Sequence, residues 1–219
     1  DLLGFVHQIP ARARERLIDL AATMLEDGGA YHQYQPLTKM GNHELGSNFN
    51  DDPLWMILAV AAYIKETGDV SILDEKVPYE NRDELADTML DHNKEMFKEP
   101  PYYSKVAESV MIAGMFCAIA PEYVEMCKMK GDTAEAEKAQ AEIEKMRKNT
   151  LEYGYDGEWF LRAYDHYGKK VGSHECEEGK IFIEPQGWCV LAGLGKDKGY
   201  DIQTLDSVDK YLNSKHGLV

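Results

Sequence analysis

Asn48-Phe49-Asn50-Asp51-Asp52-Pro53-Leu54-Trp55 turns a polar loop into a buried helix. Beyond it Ile57, Leu58, Val60, Ala61, Ala62 and Ile64 leave the helix over 52–68 apolar on most faces, so other helices must cover it. Asp52 before Pro53 marks its start. An aspartate there accepts hydrogen bonds from the free N–H groups of the first turn, and proline suits the first helical position. Asp51 has no such structural explanation.

Outward from this stretch the chain repeats one theme. Upstream, Ile9, Ala13, Leu17, Leu20 and Met24 recur at spacings of three and four, which predicts an amphipathic helix over 9–26 ended by Gly28-Gly29. Downstream, 81–98 reads as a second amphipathic helix through Leu85, Met89, Leu90 and Met96. Ser104 is placed to cap an apolar helix that runs from Val106 and is kinked or ended by Pro121. A charged surface helix follows over 133–152, then a helix near 186–194, then a last one over 202–212 with Leu205, Val208 and Leu212 inward. A weak alternation over 159–164 predicts a short β-hairpin near 158–172 that returns through Val171. Buried and amphipathic helices joined by loops of unequal length predict an all-α fold of stacked helical hairpins, with the long loops gathered into a site.

Composition excludes several classes. The net charge of −15 over 219 residues argues against nucleic acid, because phosphate contacts need clustered Lys and Arg. No apolar run is expected to span a membrane, and the first residues lack the marks of an export signal, so the expected setting is cytoplasmic. Cys117, Cys127, Cys176 and Cys189 have no metal spacing and are expected as buried free thiols; no metal site and no cofactor is expected.

Three stretches concentrate carboxylates, amides and aromatics. They are Tyr31-His32-Gln33-Tyr34-Gln35-Pro36-Leu37-Thr38, residues 48–55, and the run from Asp156 through Glu158-Trp159-Phe160-Leu161-Arg162 to Asp165. Ring faces can cover the apolar faces of a sugar while amides and carboxylates take its hydroxyls. Each residue also has a plainer reading. Arg162 could pair with Glu158 or Asp165, Trp159 and Trp188 could be core, Gln186 could close a turn, and His32 lacks a second ligand for a metal role.

With Asp1-Leu2-Leu3-Gly4-Phe5-Val6-His7, Ile9-Pro10 and Gln186-Gly187-Trp188 added, these stretches resemble, in order and over nearly the whole chain, the inverting glycoside phosphorylases that include cellobiose, cellodextrin and chitobiose phosphorylases. The likeness is nearest the cellobiose branch. It implies that 1–219 is an incomplete (α/α)6 catalytic domain of a homodimeric enzyme. The implied reaction is attack of inorganic phosphate, the co-substrate, on a β-linked disaccharide with inversion, giving α-glucose 1-phosphate and glucose. One acid protonates the leaving oxygen. The family carries that acid in a Trp-Asn-Asp motif, and this chain has none. Residues 98–105 stand where the motif would fall, so a gap is expected there and no catalytic residue is assigned. The family's phosphate-binding His and Gly residues match nothing in 1–219. Asp1, Phe49, Asp51, Asp52, Glu158, Trp159, Arg162 and Gln186 are the expected substrate-binding residues. The alternatives are a noncatalytic sugar-binding or assembly fragment, and an inverting hydrolase that uses Asp51 and Glu158.

Overall fold

A computed structural model describes residues 2–45, 49–97 and 107–218. Asp1, Asn48 and the segment 98–106, which holds Ser104 and the expected gap, lie outside them. Helices dominate, as expected, and the chain divides into two compact units.

The first unit comprises Asp1–Pro101 with Ala120–Ala139. Helix α1 (Leu2–Phe5) leads into α2 (Pro10–Ala21), whose Ala13, Leu17 and Ala21 are fully buried. Strands β1 (Tyr34–Gln35) and β2 (Met40–Gly41) pair across a tight turn. Helix α3 (Asp52–Thr67) packs on α2 and ends at Gly68, where a φ of 70° suits glycine. Arg14 of α2 ties the following turn down through Asp69 at 3.3 Å and Glu75 at 2.6 Å.

The helix expected over 81–98 is half wrong. Strands β3 (Lys76–Tyr79) and β4 (Arg82–Thr88) form a hairpin, and only α4 (Met89–Phe97) is helical. Tyr79 pairs with Arg82, so the turn is two residues long. Its residues, Glu80 and Asn81, have φ of 50° and 56°, the left-handed pair that a two-residue hairpin turn demands. The apolar spacing of Leu85 and Met89 mimicked a helix across that boundary.

The second unit comprises Tyr102–Ile119 with Gln140–Val219. Strand β5 (Glu108–Ser109) precedes α5 (Val110–Met129), so the apolar helix starts later than expected. Ser109 caps it, its Oγ accepting from Ile112 N at 3.3 Å. Pro121 sits inside α5 without ending it. Against expectation, α5 is long and apolar enough to cross a membrane by length and composition; more than half of that apolar stretch is buried in protein, which suits a core helix equally. Helix α6 (Thr133–Tyr153) follows, and both α5 and α6 are divided between the two units.

The expected hairpin is present and short. Strands β6 (Ala163–Tyr164) and β7 (Lys170–Val171) pair, and β5 adds to β6. Helices α7 (Ile183–Leu191) and α8 (Tyr200–Leu212) pack together, and β8 (Asn213–Ser214) pairs with β9 (Gly217–Leu218). Leu205 of α8 is exposed rather than inward. The core of this unit joins Val110, Cys117, Phe160, Leu161, Cys189 and Leu194. Gly114 lets α5 approach α7 closely, since a Cβ there would lie 2.7 Å from Cys189 Sγ. All four cysteines are free; Cys176 is only half-buried, unlike the other three.

Candidate functional site

In the first unit His32 and Phe49 meet at the start of α3. Asp52 does not cap that helix. Asp51 holds the cap position, makes no side-chain capping bond, and leaves Asp52 as the first helical residue. Asp52 instead turns its carboxylate to His32, with Oδ2 3.1 Å from Nδ1. Burial raises the Asp52 carboxyl above its usual range and the nearby Asp51 adds to this, while the His32 bond opposes it. The Phe49 ring lies 4.2 Å from the His32 ring, tilted by 31°. Phe49 and Trp55 are both exposed by more than two fifths, although each is a large apolar side chain next to a buried helix.

A second pair braces the loop. Tyr31 Oη lies 2.9 Å from His43 Nδ1, and the rings meet edge to face. A Cβ at Gly41 would stand 2.0 Å from the Tyr31 ring, so only glycine admits that ring against the β1–β2 turn. Arg16 covers the Tyr34 ring at 5.1 Å.

In the second unit the segment Asp156–Asp165 is held by interior bonds. Trp159 is buried, and its Nε1–H donates to both Gly172 O and Lys180 O at 2.9 Å. Gln186 is fully buried. Its Oε1 accepts from Phe160 N at 2.8 Å, and its Nε2 donates to Phe160 O at 2.8 Å and Phe182 O at 2.9 Å. Both residues therefore shape the backbone between Glu158 and Arg162, and neither presents an open polar group. Glu158 is exposed, its backbone carbonyl fixed by Ser207 Oγ at 3.0 Å. Arg162 is half-buried, and its backbone pairs with Val171 and Val110. Among the described residues its guanidinium forms no ion pair. The bonds weighed with Glu158 and Asp165 are not made; Asp165 instead accepts from the backbone of Tyr167 and Lys169.

One polar centre was not singled out from the sequence. The side chain of Asp156 is 3% exposed and accepts from Ser173 Oγ at 2.9 Å, His174 N at 2.8 Å and His174 Nδ1 at 2.6 Å, with Lys170 Nζ at 3.4 Å. Burial alone would raise its carboxyl; those hydrogen bonds outweigh it and hold the group below the usual range. Asp156 thus anchors the 170–175 loop. The signal was the pairing of an acid with a Ser-His turn 17 residues on, which nothing in local spacing marks. Among the described residues no group of three His, Cys, Asp or Glu side chains could hold a metal ion.

The family model described as the Glycosyl hydrolase 94 superfamily, catalytic domain, matches residues 1–103 and 102–219. Relatives include a solabiose phosphorylase of Paenibacillus borealis, 30% identical over 95% of this chain and 29% of its own length. An N,N'-diacetylchitobiose phosphorylase of Vibrio furnissii is 24% identical over 100% of this chain and 32% of its own length. A cellobionic acid phosphorylase of Neurospora crassa is 27% identical over 77% of this chain and 24% of its own length. The chain therefore spans about a third or less of the length of these relatives.

Proposed function

The chain belongs to the Glycosyl hydrolase 94 superfamily, in its catalytic domain, and on that footing we propose that it supplies sugar-binding helices and loops of a phosphorylase acting on a β-linked, cellobiose-like disaccharide. The chain is mainly helical, and its helices are read as part of the (α/α)6 barrel of that family's catalytic domain. The family match along the whole chain carries this reading. The three relatives are phosphorylases of different disaccharides, which supports phosphorolysis as a class and leaves the sugar to the loops.

In the proposed reaction inorganic phosphate attacks the anomeric carbon from the face opposite the leaving sugar. The C–O bond to the leaving sugar breaks, its oxygen takes a proton from an acid, and α-glucose 1-phosphate and glucose result. Phosphate is the nucleophile, so a second carboxylate to activate water is not required. Phe49, Asp51 and Asp52 of the first unit are proposed as sugar contacts, and so, separately, are Glu158 and Arg162 of the second. Arg162 supports this best, because its guanidinium has no ion pair among the described residues. Asp1 is proposed by resemblance to hold the sugar beside the cleaved bond. Trp159 and Gln186 set the backbone that carries Glu158 and Arg162.

The second reading, binding without turnover, is favoured by one observation. The chain has no Trp-Asn-Asp, and the family match breaks in two at residues 102–103, where the acid would fall. One experiment tests the sugar-site reading and the missing acid together. The 219-residue protein is incubated with cellobiose and phosphate, followed by ³¹P NMR for sugar 1-phosphate and by saturation-transfer NMR for bound sugar. Binding with no product is the expected result. Product formation would refute the assignment of the missing acid, and absence of binding would refute the sugar-site reading.

A further inference from the structure

His32 was not among the residues assigned to substrate, yet the geometry sets it up as a contact. Its side chain is 47% exposed, while the Asp52 side chain behind it is 18% exposed. An ionised carboxylate can only accept, so the bond at 3.1 Å is made by a proton on His32 Nδ1, and in the neutral ring Nε2 is then the acceptor. Phe49 lies alongside at 4.2 Å and is 46% exposed. A half-exposed phenyl face beside an oriented acceptor is a matched pair for a pyranose. The C–H face of the ring covers the phenyl, and a hydroxyl donates to the imidazole. The neighbouring carboxylates, Asp51 and Asp52, disfavour an anion, so this patch suits the neutral sugar and not phosphate.

We infer that His32 is a sugar-contact residue that accepts a hydroxyl hydrogen bond through Nε2, with Phe49 as its stacking face and Asp52 as the positioning residue that fixes the ring and its tautomer. This rests on the sugar-binding reading above and deepens it by naming residues that read the sugar.

The test is titration of the ¹⁵N-histidine-labelled full chain with cellobiose, with His32 assigned from the spectrum of His32→Gln. The expected result is a shift at His32 Nε2 on saturation. His32→Ala and Phe49→Ala should each weaken binding by about three- to tenfold, the size of one net hydrogen bond or one stacked face. Asp52→Ala should move the His32 proton from Nδ1 towards Nε2, which loss of packing alone would not do. If the wild-type protein binds cellobiose while the His32 nitrogens stay unmoved and both variants bind as tightly, this inference is overturned and the broader reading stands. If the wild-type protein binds no cellobiose, both fall together.

Discussion

Gln186→Leu should be among the most damaging single changes in the second unit, and its cost can be worked from the bonds it breaks. The bridge between Tyr155 and Phe160 is closed by Asp156 N to Trp159 O and by Leu161 N to Gly154 O. Those bonds leave the N–H and C=O of Phe160 itself to the Gln186 amide. Phe160 is fully buried, so water cannot replace the lost partner. Each stranded buried group costs about 1–3 kcal/mol, so two of them cost about 2–6, and the gain of about 1 from a more apolar side chain leaves about 1–5 kcal/mol. That is a large share of the roughly 5–15 kcal/mol by which domains are stable. Urea unfolding followed by tryptophan fluorescence should show the midpoint falling by about 1.5 M, at an m-value of about 2 kcal/mol/M. Gln186→Glu discriminates further. A carboxylate keeps the acceptor for Phe160 N–H but faces two carbonyls, so this variant should recover stability as pH falls and the acid gains its proton. A loss below about 1 kcal/mol for leucine, or no pH dependence for glutamate, would refute the clamp.

His92 is fully buried, and that burial holds its imidazole below the usual 6.5 despite the bond to Val77 O. The unfolded chain therefore takes the proton first, so stability is complete above about pH 6.5 and declines as pH falls below it; urea midpoints at pH 7.5 and 5.5 should differ, and equal midpoints in His92→Gln would assign the effect. Gly28 has a φ of 86°, and a Cβ there would lie 2.2 Å from the backbone oxygen of Glu95, so Gly28→Ala should cost at least about 2 kcal/mol in the same assay. Burial pushes the Cys117 thiol up to about 12 and raises Cys127 and Cys189 as well. A disulfide reagent at pH 8 should then modify Cys176 alone in the native protein and all four thiols in denaturant; rapid modification of Cys117 would contradict the packing of α5.

Much of the fold was legible because helices announce themselves by period. The Leu17 face of α2, the all-round apolar α3 and the glycine stop at Gly68 were each readable from spacing. The β3–β4 hairpin was not, since its signal lies in two left-handed residues, Glu80 and Asn81, and glutamate is a poor advertisement for that conformation. At the candidate site, residue types could not say which groups were committed inside. Trp159 and Gln186 look like sugar ligands by type, but their polar atoms are used by Gly172, Lys180, Phe160 and Phe182. The Asp52–His32 and Asp156–His174 pairs span 20 and 18 residues, beyond any local rule. The expected capping by Asp52 failed because the helix began one residue earlier, which freed that carboxylate for His32.

The central claim, that these loops bind a β-linked disaccharide, is tested most directly by parallel calorimetric titration of the 219-residue protein with cellobiose and with maltose, its α-linked isomer. Saturable binding of cellobiose with maltose at least tenfold weaker is the predicted result. Equal affinity for both, or no heat from either up to saturating sugar, would contradict it.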